Sequence, residues 1–395
     1  MAGFLDLPDE VLLYILSLLR ISEIGCIAQV SRRLNALIGQ DAAWRPISRQ
    51  LINIQEDEKT RENCGHKIGR RQKSLKEMCR ISLNWTRGNK KENILSKFKT
   101  RYLPWLQLDG QQLYMSQGEK VHSFRLHDNG SIYKKPLVSF HGQLNDVTQF
   151  VVKKDRLLTA GCDARFLLYS KYTGALLNCY QPDEQRISGL NIMCVDMTDD
   201  VIVGGVNDKS ITLWRCNCQQ PMRSITMSDT VRSLRTSPSQ RSFASGSSAV
   251  ADRQPIKIWD IESGKQIMTI GRNWRHGAGI LHMQYESPDT LLSAGYDTFV
   301  RMWDLRTNCI LPVIELEDPH DYTVYCIQSD GKYLIASGTA LWGVARLWDK
   351  RMNKTLQSFF IGRGSNSPVY SLQFNTTHMY VALSNSLRAL SFTGR

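Results

Sequence analysis

Two sets of side chains have types and spacings that could do chemistry: His141, Thr159, Asp163 and Tyr169, and His276, Ser293, Asp297 and Trp303. An imidazole, a hydroxyl and a carboxylate are the parts of a nucleophilic hydrolase. The sets recur along the chain, however. Asp163, Asp208 and Asp297 each stand six residues before an aromatic anchor, Tyr169, Trp214 or Trp303. A catalytic centre is needed once, so repetition argues for structure, and a tight turn between strands uses such a carboxylate to accept backbone N–H bonds. The sequence has no Gly-x-Ser-x-Gly elbow and no Gly-rich loop followed by Lys-Ser/Thr. Cys216-x-Cys218 lacks a second ligand pair at zinc spacing. The expectation is a non-catalytic chain without metal or cofactor.

The elements that carry these residues keep a regular beat. LLSAGYDTFVRMWDL, residues 291–305, reads as two short strands joined by a Gly-Tyr-Asp turn. Its ending returns at Trp214, Trp259 and Trp348, with weaker copies at Phe124 and Tyr169, so the anchors are spaced by 45, 45, 45, 44 and 45 residues. A degenerate seventh copy ends at Leu390. Such a period marks a four-stranded propeller blade. Inner strands read as WLQL, VTQFVV, IMCVDM, VRSLRT, ILHMQY, VYCIQS and VYSLQF. Beyond Leu390 the chain has no room for a last outer strand. A ring must cover its edges, and a strand within Glu92 to Arg101 is expected to supply it. Ser248 to Gln254 is longer than the corresponding turn of the next blade and is expected to project as a loop.

The repeat resembles the WD-repeat family over roughly residues 103–395. That resemblance implies a hydrogen-bonded network in each blade, assigned here to His141, Thr159, Asp163, Asp208, Trp214, Trp259, Ser293, Asp297, Trp303, His320 and Trp348.

The formal charge is +13 over 395 residues. Residues 51–102 hold 14 Lys/Arg against 6 Asp/Glu, so most of the excess lies in a linker. Such a segment attracts phosphate polymers without sequence preference, but it lacks the aromatic interleaving of a stacking platform. A solvated spacer is the favoured reading, and a nucleic-acid adaptor is the lesser alternative. Cys26, Cys79, Cys162, Cys194 and Cys326 stand singly in apolar stretches with no secretory leader, which points to a reducing cytoplasm and/or nucleus. Val11 to Leu19 is too short to span a bilayer.

At the start, Leu7-Pro8-Asp9-Glu10 reads as a helix beginning, with two carboxylates facing the positive end of the dipole. Val11, Leu12, Ile15, Leu16 and Leu19 follow at helical spacing, then a second apolar set from Ile24 to Val30 and a third segment from Arg33 to Ile38. Three short helices bury little by themselves, so their surplus apolar surface points to a partner. LPDEVLLYILSLL followed by AQVSRRLNALIGQDAAWR resembles the F-box. By that resemblance Leu7, Pro8, Leu12, Ile15, Leu16, Leu19, Val30 and Trp44 would bind a Skp-family adaptor. Ser31-Arg32-Arg33-Leu34 departs from relatives that carry Cys and a second Trp there.

The order of parts resembles the F-box/WD-repeat proteins: an F-box module at 1–50, a basic, partly helical spacer at 51–91, and a mainly β, seven-bladed propeller at 92–395. NWTRGNKKENILSKFK and SPVYSLQFNTTHMYVALS lie outside the generic repeat and narrow the resemblance to one branch. It implies a substrate receptor of a cullin-RING ubiquitin ligase, with cullin and RING subunit held through the adaptor, or else a non-degradative scaffold. The residue after the apolar start of each inner strand should open onto the channel mouth: Thr148, Met193, Arg232, Leu281, Tyr325 and Tyr370. In similar proteins this rim reads the target, often through Arg bonded to phosphate. Arg232, Tyr325 and Tyr370, with Arg165, Arg186, Arg253, Arg275 and Trp342, are the expected target-binding residues, and a protein substrate, phosphorylated or not, is the expected ligand.

Overall fold

A computed structural model describes residues 4–54, 73–100, 103–181, 189–272, 274–307, 309–362 and 366–394. Residues 55–72 of the expected spacer, and Arg101 and Arg186, lie outside it. The chain divides into two compact units, one helical and one of strands.

The helical unit contains α-helices Asp9–Ser17, Ile21–Ile27, Arg32–Ile38, Asp41–Ser48 and Leu75–Arg87. Pro8 precedes the first helix, with Asp9 and Glu10 in its opening turn. The expectation of three helices before residue 50 needs correcting, because Asp41–Ser48 is a fourth despite Pro46 inside it. Burial overrides the proline: Ala43, Trp44, Ile47 and Ser48 all face inward, and Trp44 Nε1 donates to Ile38 O at 2.7 Å. Leu16, Ile24, Ile38 and Trp44 form the main core with Cys79 of the fifth helix. That helix is capped by Ser74, which accepts from Glu77 N, and ends at Gly88 with φ 74°, the left-handed position that glycine tolerates best. Residues 375–377 and 392–394 complete the unit: the Trp85 ring stacks on Phe392 at 3.7 Å and Asn84 Nδ2 donates to Phe392 O and Gly394 O.

Seven four-stranded sheets make up the second unit. Blades 1 to 6 span 106–140, 147–180, 192–226, 231–270, 280–317 and 324–360. Blade 7 takes three strands from 369–391, and Lys91–Lys97 lies hydrogen-bonded along Ser386–Ser391 as its outer strand. Phe98 N donates to Asn385 O, and the Arg388–Glu92 ion pair spans 2.7 Å. Ring closure therefore joins segments almost 300 residues apart.

Each junction between blades carries a side chain bonded to the backbone of the next inner strand. Gln107 bonds both groups of Val152, Gln149 accepts from Val195 N and Asp196 from Thr236 N. Arg235 donates to Met283 O; Gln284 accepts from Ser329 N, Gln328 from Phe374 N and Gln373 from Leu108 N. A polar side chain buried between blades is stable because it is so paired. The aromatic anchors fill the same junctions: Trp214 packs on Phe166 and Tyr180 of the preceding blade, and Trp348 on Leu292 and Val300. Gly204 is required here, since a Cβ would sit 2.1 Å from the Phe166 ring.

Candidate functional site

Of the residues that resemble a catalytic set, Thr159 and Ser293 are hydrogen-bonded within their blades, whereas His141 and His276 stand exposed. Trp259, Trp303 and Trp348 donate through Nε1 to Ser245, Ser293 and Ser337 at 2.8, 2.9 and 2.8 Å. Trp214 Nε1 is buried with no such partner. In blade 2 the inward group is Gln143, whose Nε2 donates to Thr159 Oγ1 at 2.8 Å. His141 is exposed and offers only its backbone O to the Tyr169 hydroxyl. His320 is likewise exposed, and the buried group two residues earlier is Asp318. Its carboxylate accepts from His320 N and Arg346 Nε, and the Arg346–Asp318 pair has side-chain exposures of 1% and 0%. In both places the residue facing the junction lies two positions from the histidine, which a spacing argument cannot resolve. His276 is exposed. Asp163 bonds Leu144 N and Arg165, Asp297 pairs with Arg301, and exposed Asp208 bonds Ser210 within its own turn. Every described cysteine is free. Among the described residues no cluster of His, Cys, Asp or Glu could hold a metal, and no helix is long and apolar enough to cross a membrane.

Within the helical unit, the expected adaptor-binding residues fall into three groups. Leu12, Leu16 and Trp44 are core, exposed by 1%, 2% and 4%. Leu7, Ile15 and Leu19 are half-buried, and Pro8 and Val30 are exposed. The outer face of helix Asp9–Ser17 carries Val11, already in the apolar set of the sequence, together with two residues outside the expected adaptor-binding set: Val11 is 41% and Tyr14 67% exposed, and Leu18 just beyond is 70% exposed. Their signal was the i, i+3, i+7 spacing, masked by the more leucine-rich inner stripe. Phe4 and Leu5 are exposed as well. Arg33 fastens this edge by donating to Leu5 O, to Leu7 O at 2.9 Å and to Asp9 at 2.5 Å. The departure at Arg32-Arg33 thus has a structural use.

At the propeller's channel, the six inner-strand positions come together. Thr148, Met193, Arg232, Leu281, Tyr325 and Tyr370 all line one cavity of about 170 Å³. Each sits where its strand pairing slips by one residue. A bulge leaves its residue unpaired and re-aims the side chain, here into the channel. Trp105 of blade 1 lines the same cavity. Its backbone is held by Ser116, and its ring reaches His282 at 5.5 Å and the Arg235 guanidinium at 6.0 Å. Tyr325 and Tyr370 stack at 6.0 Å. Burial pushes the Tyr325 phenol up, keeping it protonated. His282 faces two donors, Arg235 on Nε2 and Ile327 N on Nδ1; burial, then Arg235, holds its pKa well below the usual imidazole value.

The other expected target-binding residues are apart from this cavity. Arg165 is occupied by Asp163 and Gly142 O, while Arg253, Arg275 and Trp342 are exposed. The loop Ser248 to Gln254 does not project freely. Buried Asp229 accepts from Val250, Ala251 and Asp252 N–H groups, Ala249 O accepts from Gly277 N, and Lys257 pairs with Asp252 at 2.5 Å.

Residues 4–50 match the F-box-like family model. Over 391 residues, 98% of this chain and 92% of the relative, the sequence is 37% identical to F-box/WD repeat-containing protein 4 of Mus musculus. The Homo sapiens F-box/WD repeat-containing protein 4 is 36% identical over 396 residues with the same coverage. A shorter match, 25% identical over 34% of this chain and 21% of the relative, is to F-box/WD repeat-containing protein 8 of Homo sapiens. With a matching helical module, seven four-stranded blades and 36–37% identity over 98% of its length to protein 4 of two mammals, the chain belongs to the F-box/WD-repeat family.

Proposed function

We propose that this chain is a substrate receptor of a Skp-cullin-F-box ubiquitin ligase, with the helical unit docking on the adaptor and the propeller holding the target. The observation that carries the reading is the apolar face of Val11, Tyr14 and Leu18, left uncovered on a module that matches the F-box. Exposed apolar side chains rimmed by polar ones mark interaction sites. The remaining adaptor-facing set is Leu7, Pro8, Ile15, Leu19 and Val30, while Leu12, Leu16 and Trp44 shape the helices from within. Ubiquitin transfer then follows from proximity: a bound target's lysines are held near a conjugating enzyme supplied by other subunits.

Affinity capture of the full chain from cells tests this. The adaptor and cullin should co-purify with the wild-type chain and be lost with Tyr14→Asp/Leu18→Asp. Proteins labelled by proximity to the propeller should accumulate when the double variant replaces the wild type. Absence of adaptor from the wild-type capture contradicts the reading; adaptor capture without any accumulating protein favours a non-degradative scaffold.

A further inference from the structure

Resting on the receptor role proposed above, we infer that the channel cavity binds one carboxylate side chain of the target, Asp or Glu, and reads it without phosphorylation. The cavity is the size of a single side chain, at about 170 Å³, well below the roughly 300–1,000 Å³ of sites for drug-sized ligands. Its charge is one-sided. Among the described residues, Arg232 and Arg235 line it and no Asp or Glu does. The two cations differ in availability: Arg235 is tied to Met283 O, to the His282 ring and to the face of Trp105. Arg232 makes no hydrogen bond or ion pair among the described residues, and its Nε is buried without a partner.

A buried donor left unpaired costs free energy that an incoming acceptor recovers. One guanidinium fork matches the two oxygens of one carboxylate. A phosphate dianion presents three oxygens and more charge, and with Arg235 tied elsewhere Arg232 is the one lining cation left to meet it among the described residues. The walls suit the stem of an acidic side chain: Met193, Leu281, Trp105 and the stacked rings of Tyr325 and Tyr370 are apolar. Six bulged inner strands fix these groups on the rigid ring, so the cavity is preorganised and its ordering entropy is already met.

Saturation-transfer NMR on the full chain tests this with three probes of one size: phenylacetate, phenylacetamide and phenyl phosphate. Phenylacetate should bind saturably, phenylacetamide at least tenfold more weakly, and phenyl phosphate no more tightly than phenylacetate. Arg232→Gln should weaken phenylacetate at least tenfold, Arg232→Lys less, and Arg241→Gln, an exposed position outside the cavity, not at all, with thermal unfolding confirming that each variant is folded. Tenfold tighter phenyl phosphate would make this a phosphate reader, equal binding of phenylacetamide an apolar pocket, and absence of binding or indifference to Arg232→Gln no anion site; each overturns the inference. Adaptor capture by Arg232→Gln separates the two readings. Failed probe binding with capture intact sinks the carboxylate site alone, and lost wild-type capture with probe binding intact sinks the receptor role alone.

Discussion

The helical unit and the propeller treat their apolar side chains and backbone edges in opposite ways. Helix Asp9–Ser17 turns Leu12 and Leu16 inward but leaves Val11, Tyr14 and then Leu18 in solvent. In the propeller the comparable liability, the open edge of blade 7, is covered by Lys91–Lys97, and the junctions are filled by Trp anchors and bonded inner-strand side chains. Apolar surface is left over in the helical unit, whereas the ring fills its junctions and leaves a few buried polar groups unpaired, among them Trp214 Nε1, the Tyr285 hydroxyl and Arg232 Nε, of which Arg232 belongs to a residue lining the channel cavity.

Opening the ring's interior should have the largest effect. Asp318→Ala strands the Arg346 guanidinium, only 1% exposed, without its carboxylate, and should destabilise the propeller by about 3–5 kcal/mol. Urea unfolding read by Trp fluorescence measures it, and a loss below about 1 kcal/mol would show that the pair does not hold blades 5 and 6. Acidification comes next. The unfolded His282 ring protonates near pH 6.5, while burial and Arg235 keep the folded ring neutral to a much lower pH. Its contribution is therefore fully present above about pH 6.5 and is lost as pH falls toward the folded value, by about 1.4 kcal/mol per pH unit. Thermal unfolding at pH 7 and pH 5.5 should differ accordingly, and His282→Gln should flatten the dependence; an unchanged slope would assign it to other groups.

A finer cut compares two anchors inside the ring. Trp303→Phe removes a 2.9 Å hydrogen bond to Ser293, whereas Trp214→Phe removes an N–H that has no partner. Both lose similar volume, so the difference isolates the bond, and Trp303→Phe should be the more destabilising by roughly 1 kcal/mol. Equal losses in chemical denaturation would show that anchors act through packing alone. The smallest effect on stability belongs to the open unit: Tyr14→Asp and Leu18→Asp should each stay within about 0.5 kcal/mol of wild type, because both side chains are exposed.

Much of the architecture was legible in spacing. The 45-residue beat from Phe124 to Trp348 locates six blades, and the strand expected within Glu92 to Arg101 is found at Lys91–Lys97 on the edge of the seventh. The six channel positions were legible because each follows the apolar start of its strand, although the bulge that turns them inward leaves no mark in composition. Spacing fails where two neighbours can serve one role. His141 and Gln143, or Asp318 and His320, differ by two positions in a loop whose path the sequence does not dictate. It also fails on helix Asp9–Ser17, where Leu12, Leu16 and Leu19 look like the binding stripe because leucines are the strongest apolar signal. Packing uses two of those leucines internally and leaves Tyr14 and Leu18 outside.

In the function proposed above, the exposed stripe of the first helix is the docking face. Calorimetric titration of the full chain with purified Skp-family adaptor tests it most directly, comparing wild type with Tyr14→Asp/Leu18→Asp at matched thermal stability. Saturable wild-type binding weakened at least a hundredfold by the double variant is the predicted result. Equal affinity in both, with both folded, would show that the adaptor does not dock on this stripe.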